Sequence, residues 1–163
     1  MSDPIVSTMT HVLLVEPDPA VRRRVQRACA HLARVTACAD FLGARARLLN
    51  APHDVLISNL RLGEYNGMHL FLLAKTTSVP LRCAVMHTDR IDLYLIREAQ
   101  RAGAFFERTD RLAYAVRGFL SGTPPPFDRR DPARIDRRTS PRGGRRAPDL
   151  AQMAALGTHR AGL

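Results

Sequence analysis

The chain has no tryptophan, a single lysine (Lys75), and aromatic side chains at only 6% of its 163 residues. Any core must therefore be mostly aliphatic, and an apolar fraction of 45% is enough for one domain of ordinary size plus a tail. Long apolar runs are missing too. The longest hold four to six residues, far short of a membrane-spanning helix. The N-terminus (Met1-Ser2-Asp3-Pro4) shows no basic segment followed by an apolar one, so no secretory signal is expected and the expected location is the cytoplasm. Cys29, Cys38 and Cys83 have no metal-ligand spacing and are odd in number, which predicts reduced, buried thiols. Likewise His11, His31, His53, His69 and His159 show no ligand spacing, and Ser7 and Ser58 have no His/Asp context that would make a nucleophile. A binding module is expected, not an enzyme.

What the chain has in quantity is arginine. The net charge of +10 is nearly all guanidinium, and it is unevenly spread. Residues 1–121 carry a net +5, and residues 122–163 carry the same +5 in a third of that length. The composition changes at Ser121-Gly122-Thr123-Pro124-Pro125-Pro126. From there to Arg146 it is Arg, Asp, Pro and Gly, with Asp-Arg-Arg recurring at 128–130 and 136–138. Such a segment buries too little apolar surface to offset its ordering entropy, so residues 122–163 are expected to be a disordered basic tail. Asp149 to Leu156 has the composition for two helical turns, marginal in isolation.

Ahead of the tail, short apolar runs alternate with segments of helical spacing. Residues 1–10 are expected to be a flexible lead-in to a domain over 11–121. Strands are predicted at His11–Val15, Arg34–Ala39, Val55–Ser58 and Cys83–His87, with a fifth that starts at Ala104-Phe105-Phe106 and ends near Glu107-Arg108. Asp18 caps the first predicted helix with Pro19 in its first position, and Val21, Val25, Cys29 and Leu32 form its buried face. Further helices are predicted over Phe41–Leu49 with Asp40 as cap, Met68–Lys75, and Ile91–Arg101 ended by Gly103 in the left-handed conformation. A last one is capped by Asp110, with Leu112, Val116 and Phe119–Leu120 on one face. Five strands alternating with five helices predict an α/β domain with a doubly wound, five-stranded parallel sheet.

The stretch Asp54–Gly67 organises this pattern. A strand buried on both faces ends at Asn59, and Gly63 and Asn66-Gly67 mark a tight turn before the next helix. Ligand chemistry in open α/β sheets lies at such carboxyl ends.

The run from His11 to Arg24, the run from Asp54 to Leu62 followed by Asn66-Gly67, and Ala102-Gly103-Ala104 together resemble the receiver domain of bacterial response regulators. The resemblance covers roughly residues 10–120. It implies the flavodoxin-like strand order 2-1-3-4-5. It also implies a site in which an aspartate after the third strand takes a phosphoryl group from a partner kinase. Two acids after the first strand and a backbone carbonyl help that aspartate hold Mg²⁺, and a hydroxyl and a lysine grip the phosphoryl oxygens.

Position by position, this chain departs from that set. The acceptor position holds Asn59, whose amide is no nucleophile for phosphorus. The acidic pair is Glu16 and Pro17, so one ligand carboxylate is gone. The hydroxyl position falls on His87, or on Thr88 if the strand is read one residue longer. The lysine position falls on Arg108, a guanidinium still suited to an anion. For magnesium only Glu16, the Asn59 amide and the Arg61 carbonyl remain, so no cofactor is expected. An ion pair between Glu16 and Arg108 is expected to fill the vacated pocket, and His87 is expected to be hydrogen-bonded at the strand end.

The first expectation for function is a stand-alone, degenerate receiver (a pseudo-receiver) in two-component signalling, acting by phosphorylation-independent contact with a sensor kinase or another signalling protein. By analogy with the family its contact face includes Tyr94, Phe106 and Tyr114, through which receivers also form homodimers. The alternatives are a phosphorelay acceptor using another acid, such as Asp18, and a protein that meets nucleic acid or an acidic partner through its arginine-rich tail. Residues 128–163 hold no aromatic for base stacking.

Overall fold

The computed structural model describes residues 9–131. The elements run β1 (Thr10–Val15), α1 (Pro19–Cys29), β2 (Ala33–Cys38), α2 (Phe41–Asn50), β3 (Val55–Asn59), β4 (Arg61–Leu62), β5 (Tyr65–Asn66), α3 (Met68–Thr76), β6 (Cys83–Thr88), α4 (Leu93–Ala102), β7 (Phe105–Arg108) and α5 (Thr109–Ser121). Five of the strands form one sheet in the order β2-β1-β3-β6-β7, parallel throughout. With the small antiparallel β4–β5 hairpin set aside, this is the predicted order and the predicted α/β class.

Alternation along the strands sorts the core into two layers. Leu13, Val15, Leu56 and Phe106 face α2, α3 and α4, where they pack on Leu48, Leu70 and Ile96. Val12, Leu14, Val55 and Ile57 face α1 and α5, against Val25, Cys29, Leu112 and Val116. Each such side chain, fully withdrawn from water, contributes about 1.5–3 kcal/mol. The three thiols are free and buried, as expected.

Local chemistry sets the helix ends. Asp18 accepts the Ala20 and Val21 N–H groups, Asp40 that of Gly43, and Asp92 those of Tyr94 and Leu95. Asp92, not Ile91, therefore fixes the start of α4. Gly103 closes that helix at φ 96°, where a Cβ would be strained. The sole lysine adds a second closure, since Lys75 Nζ donates to the Ala102 carbonyl at 2.7 Å. Two expectations are corrected here. Helix α1 stops at Cys29, which leaves Leu32 partly exposed beyond it. Helix α5 begins at Thr109, so Asp110 lies in its first turn and is not its cap.

The β4–β5 hairpin occupies the predicted tight turn, with Gly63 at φ 67°. Tyr65 at its tip stacks on Phe41 at the start of α2, with ring centroids 4.5 Å apart and planes 8° from parallel.

The largest departure from expectation is at the end of the domain. Residues 122–131 do not trail away but pack on the free edge of β7. Asp128 Oδ2 accepts the Phe106 N–H at 3.1 Å, Arg130 donates to the Phe106 carbonyl, and Gln100 Nε2 donates to the Arg130 carbonyl at 2.9 Å. A Pro/Arg composition signals little apolar burial, but these contacts are polar and are made to an unpaired strand edge. The remainder of the tail, including the possible helix at 149–156, lies outside the described residues, as do residues 1–8 of the lead-in.

Candidate functional site

Three strand ends converge at the carboxyl edge of the sheet. Glu16 directly follows β1, Asn59 ends β3, and His87 lies in β6, where it pairs with Asn59 in register. Glu16 and His87 are buried and Asn59 is half-buried.

Glu16 is the hub. Its Oε1 accepts the Asp18 N–H at 2.7 Å, and its Oε2 accepts Asn59 Nδ2 at 3.0 Å. The Asn59 amide is held from its other side as well, because Oδ1 accepts the Arg61 N–H at 2.9 Å. The amide thus bridges the carboxylate and the start of the hairpin. His87 Nε2 lies 3.3 Å from the same Glu16 Oε2, off the hydrogen-bond direction and with no other partner. Its Nδ1 meets the Thr109 hydroxyl at 3.0 Å.

Burial moves both titrating groups toward their neutral forms. Desolvation raises the Glu16 carboxyl above its ordinary value, opposed chiefly by the hydrogen bonds from Asp18 and Asn59. Desolvation lowers the His87 imidazole to about 3, against a weaker pull from Asp89. At neutral pH the ring is uncharged. A proton on Nε2 avoids setting a ring lone pair beside the carboxylate and leaves Nδ1 to accept from the Thr109 hydroxyl.

The remaining predicted positions fall nearby. Pro17 supplies a carbonyl to Arg22, whose guanidinium also donates to the Glu16 carbonyl at 2.5 Å. Strand β6 extends to Thr88, so the longer reading of that strand holds. Thr88 pairs in register with Arg108, and its hydroxyl accepts the Arg90 N–H at 3.2 Å. The imidazole of His87, not the Thr88 hydroxyl, is what meets Glu16. The expected Glu16–Arg108 ion pair gives way to this contact, and Arg108 Nε meets Asp110 at 3.1 Å. Asp18 is engaged as the α1 cap.

Sequence reasoning missed Thr109, which fixes the ring of His87, and the reason for Gly67. A Cβ on Gly67 would overlap the Asn59 carbonyl oxygen and crowd the Ser58 hydroxyl. The Asn-Gly pair was legible as a turn, but nothing in the sequence signals this close approach.

The donor set does not fit the magnesium ion that the resemblance implies. That ion requires several hard oxygens in near-octahedral array. Here Asn59 turns its NH₂ to the carboxylate and commits its oxygen to Arg61 N–H, while the remaining neighbour is an imidazole. Among the described residues no three His, Cys, Asp or Glu side chains are grouped as a metal site.

Of the expected contact residues, Tyr94 on α4 is 70% exposed and Tyr114 on α5 is 83% exposed. Phe106 is a correction. It is fully buried, because helices cover both faces of the sheet: Phe106 packs in one core layer and its neighbour Phe105 in the other. No helix among the described residues is long and apolar enough to cross a membrane.

No known protein-family description matches the sequence, and no curated protein matches it. Solved structures do. The signal receiver domain of an HD domain-containing protein from Pseudomonas fluorescens superposes with a TM-score of 0.63 at 21% identity, covering 74% of this chain and 93% of that one. A CheY-like response regulator receiver domain protein from Methanospirillum hungatei gives 0.61 at 17%, covering 70% and 95%. The chemotaxis protein CheY4 of Vibrio cholerae gives 0.59 at 21%, covering 69% and 100%. At these identities the likeness is one of fold, and the fold of this chain is that of a receiver domain.

Proposed function

We propose that the chain is a signalling module of the receiver type, of the kind used in two-component systems, that works through protein contact and takes no phosphoryl group. One observation carries this reading. The residue at the acceptor position, Asn59, is an amide bonded on both sides, to Glu16 and to the Arg61 N–H. It offers no nucleophilic oxygen and no open ligand position. Two hydrogen-bonded pairs, Glu16 with Asn59 and His87 with Thr109, then meet where a phosphoryl-magnesium centre would lie and hold the sheet ends in one arrangement.

Output in this reading comes from the surface. Tyr114 stands beside Arg24, Arg27 and Arg117 in a shallow cleft between α1 and α5. An exposed aromatic ring among guanidinium groups suits an acidic protein segment, supplied by a sensor kinase or another signalling protein. The protein is then a binding partner and has no catalytic activity of its own.

The test is the intact mass of the purified chain after acetyl phosphate and magnesium, beside an Asn59→Asp variant. The expected result is an unmodified wild type. A phosphoryl mass on the wild type would overturn the proposal and move attention to another acid, with Asp18 the first to map. Modification of the variant alone would show that the Asn59 amide silences an otherwise competent pocket.

A further inference from the structure

The clasp on β7 has a defined chemistry. In a parallel sheet the N–H and C=O of one residue point to the same side, and on β7 the outward residue is Phe106, since β6 takes the opposite edge. Asp128 accepts that N–H, and Arg130 donates to that carbonyl. The two side chains thus reproduce what a neighbouring strand would offer. They are also locked to each other by a two-point pair, Nε to Oδ1 and a terminal guanidinium nitrogen to Oδ2, both at 2.9 Å. Arg130 reaches on to Glu107 at 2.9 Å. Ahead of them Phe127, Pro125 and Pro126 line one wall of an open, mostly apolar groove of about 610 Å³, with Phe105 and Phe119 on the other.

Read as a recognition sequence, this clasp is Pro124-Pro125-Pro126-Phe127-Asp128-Arg129-Arg130, or Pro-x-x-apolar-Asp-Arg-Arg. The chain repeats it eight residues later as Pro132-Ala133-Arg134-Ile135-Asp136-Arg137-Arg138. The proline, the apolar position, the aspartate and both arginines recur in register. The described residues present one β7 edge, so the chain carries two clasps for it.

We propose that the free edge of β7 is a binding site for the peptide sequence Pro-x-x-apolar-Asp-Arg-Arg, and that residues 132–138 are its second ligand, exchanging with residues 124–130 on the same molecule. Asp136 takes the Phe106 N–H, Arg138 takes the Phe106 carbonyl and Glu107, and Ile135 takes the groove position of Phe127. Attachment to the same chain favours this over capture from another copy, because a short tether holds the motif at high effective concentration. The second register lengthens the connection from α5 by eight residues, somewhat more than a doubling. A doubling costs about threefold in occupancy, so the first register prevails by about that ratio without excluding the second. Whichever motif is off the edge remains free.

Amide exchange at Phe106 in the full-length chain tests this, because that N–H is covered only while a clasp is in place. With a threefold preference, Asp128→Ala/Arg130→Ala should exchange about fourfold faster than wild type, the second motif supplying the remaining protection. Asp136→Ala/Arg138→Ala should exchange only about 1.3-fold faster than wild type, and the fourfold variant should lose the protection altogether. Equal loss in the first double variant and the fourfold variant overturns the proposal. So does protection that appears only as the chain becomes dimeric. Amides of Leu13 and Ile57 in the central strands report whether the domain is intact. If the alanine variants unfold, Asp128→Asn and Asp136→Asn, alone and together, provide the same comparison.

Discussion

His87 Nε2 and Glu16 Oε2 lie 3.3 Å apart on either side of β3, and neither side chain reaches solvent. Burial pushes the two groups in opposite directions, and the signs set the pH response. His87 titrates near 3 when folded, against about 6.5 in an unfolded chain. Below pH 6.5 the unfolded state takes up a proton that the folded state refuses, so this contribution to stability is lost as the pH falls from 6.5 toward 3. Glu16 runs the other way. Its raised folded value makes its contribution greatest below pH 4.5 and lost as the pH rises through the folded value. The acid slope of His87 should therefore be clearest above the range where Glu16 titrates. Unfolding free energies from urea titrations should carry a His87 component that falls with acid below pH 6.5 by up to about 1.4 kcal/mol per pH unit, opposed by Glu16 wherever that carboxyl titrates. His87→Gln should lack that acid-destabilising component, so the wild-type profile should fall relative to the variant's as the pH drops below 6.5, and parallel profiles for the two proteins would contradict the assignment.

Asn59→Asp should be costly at neutral pH. The substitution removes the Nδ2 donor to Glu16 and sets a second carboxylate beside one that already resists ionisation. A loss of about 1–3 kcal/mol follows from the unmet acceptor alone. Thermal melts with and without magnesium should separate the proteins further. Wild type should gain nothing from the ion, whereas the variant, with paired carboxylates, should recover part of its loss. A variant as stable as wild type at pH 7 would show that the amide is not what stabilises the buried Glu16 carboxylate.

The fold was legible because its signals are local. Val55–Ser58 read as a doubly buried strand and Cys83–His87 as an apolar one, while Asp18, Asp40 and Gly103 read as helix ends, and each operates within a few residues of itself. The candidate site was legible in part. Glu16, Asn59 and His87 could be placed at strand ends, but their pairing could not, because it depends on side-chain direction across three strands. That is why an Arg108 bridge was expected where an imidazole is found. Phe106 misled for another reason, since helices cover both faces of β7 and bury Phe105 and Phe106 alike. The Asp128–Arg130 clasp was hidden by composition, because a polar segment reads as solvent-loving until an unpaired strand edge is there to receive it.

The thiols give a direct check on the core. Burial pushes Cys83 up to about 12 and Cys29 up to about 11, and it raises Cys38 as well. The thiolate is the reactive form, so a disulfide reagent at pH 8 should find almost none in the folded protein. All three cysteines should react once denaturant is added. Rapid labelling of any one without denaturant would indicate local opening of the layer it packs in.

Gly67 provides the sharpest test of how the site is built. Its φ of −58° is open to any residue, so conformational freedom does not explain the glycine. The constraint is space. The helix α3 that Gly67 precedes starts directly against the end of β3, and the Gly67 N–H donates to the Leu60 carbonyl at 3.1 Å. A methyl group there would run into the Asn59 carbonyl, a backbone atom with no rotamer to change. Relief requires moving either the start of α3 or the end of β3, and the latter carries the Asn59 amide away from Glu16. Gly67→Ala should therefore cost about 1–3 kcal/mol as an overpacking substitution. It should also shift the Asn59 side-chain NH₂ and His87 ring resonances, which a remote change in stability would leave in place. Gly118, where a Cβ would meet nothing within 4 Å, is the matched control. Gly118→Ala should be neutral or slightly stabilising in α5, since alanine favours a helix interior over glycine by about 1 kcal/mol. Equal effects from the two alanines would mean that Gly67 is a helix-propensity position only, and that the strand end is free to adjust without disturbing the cluster.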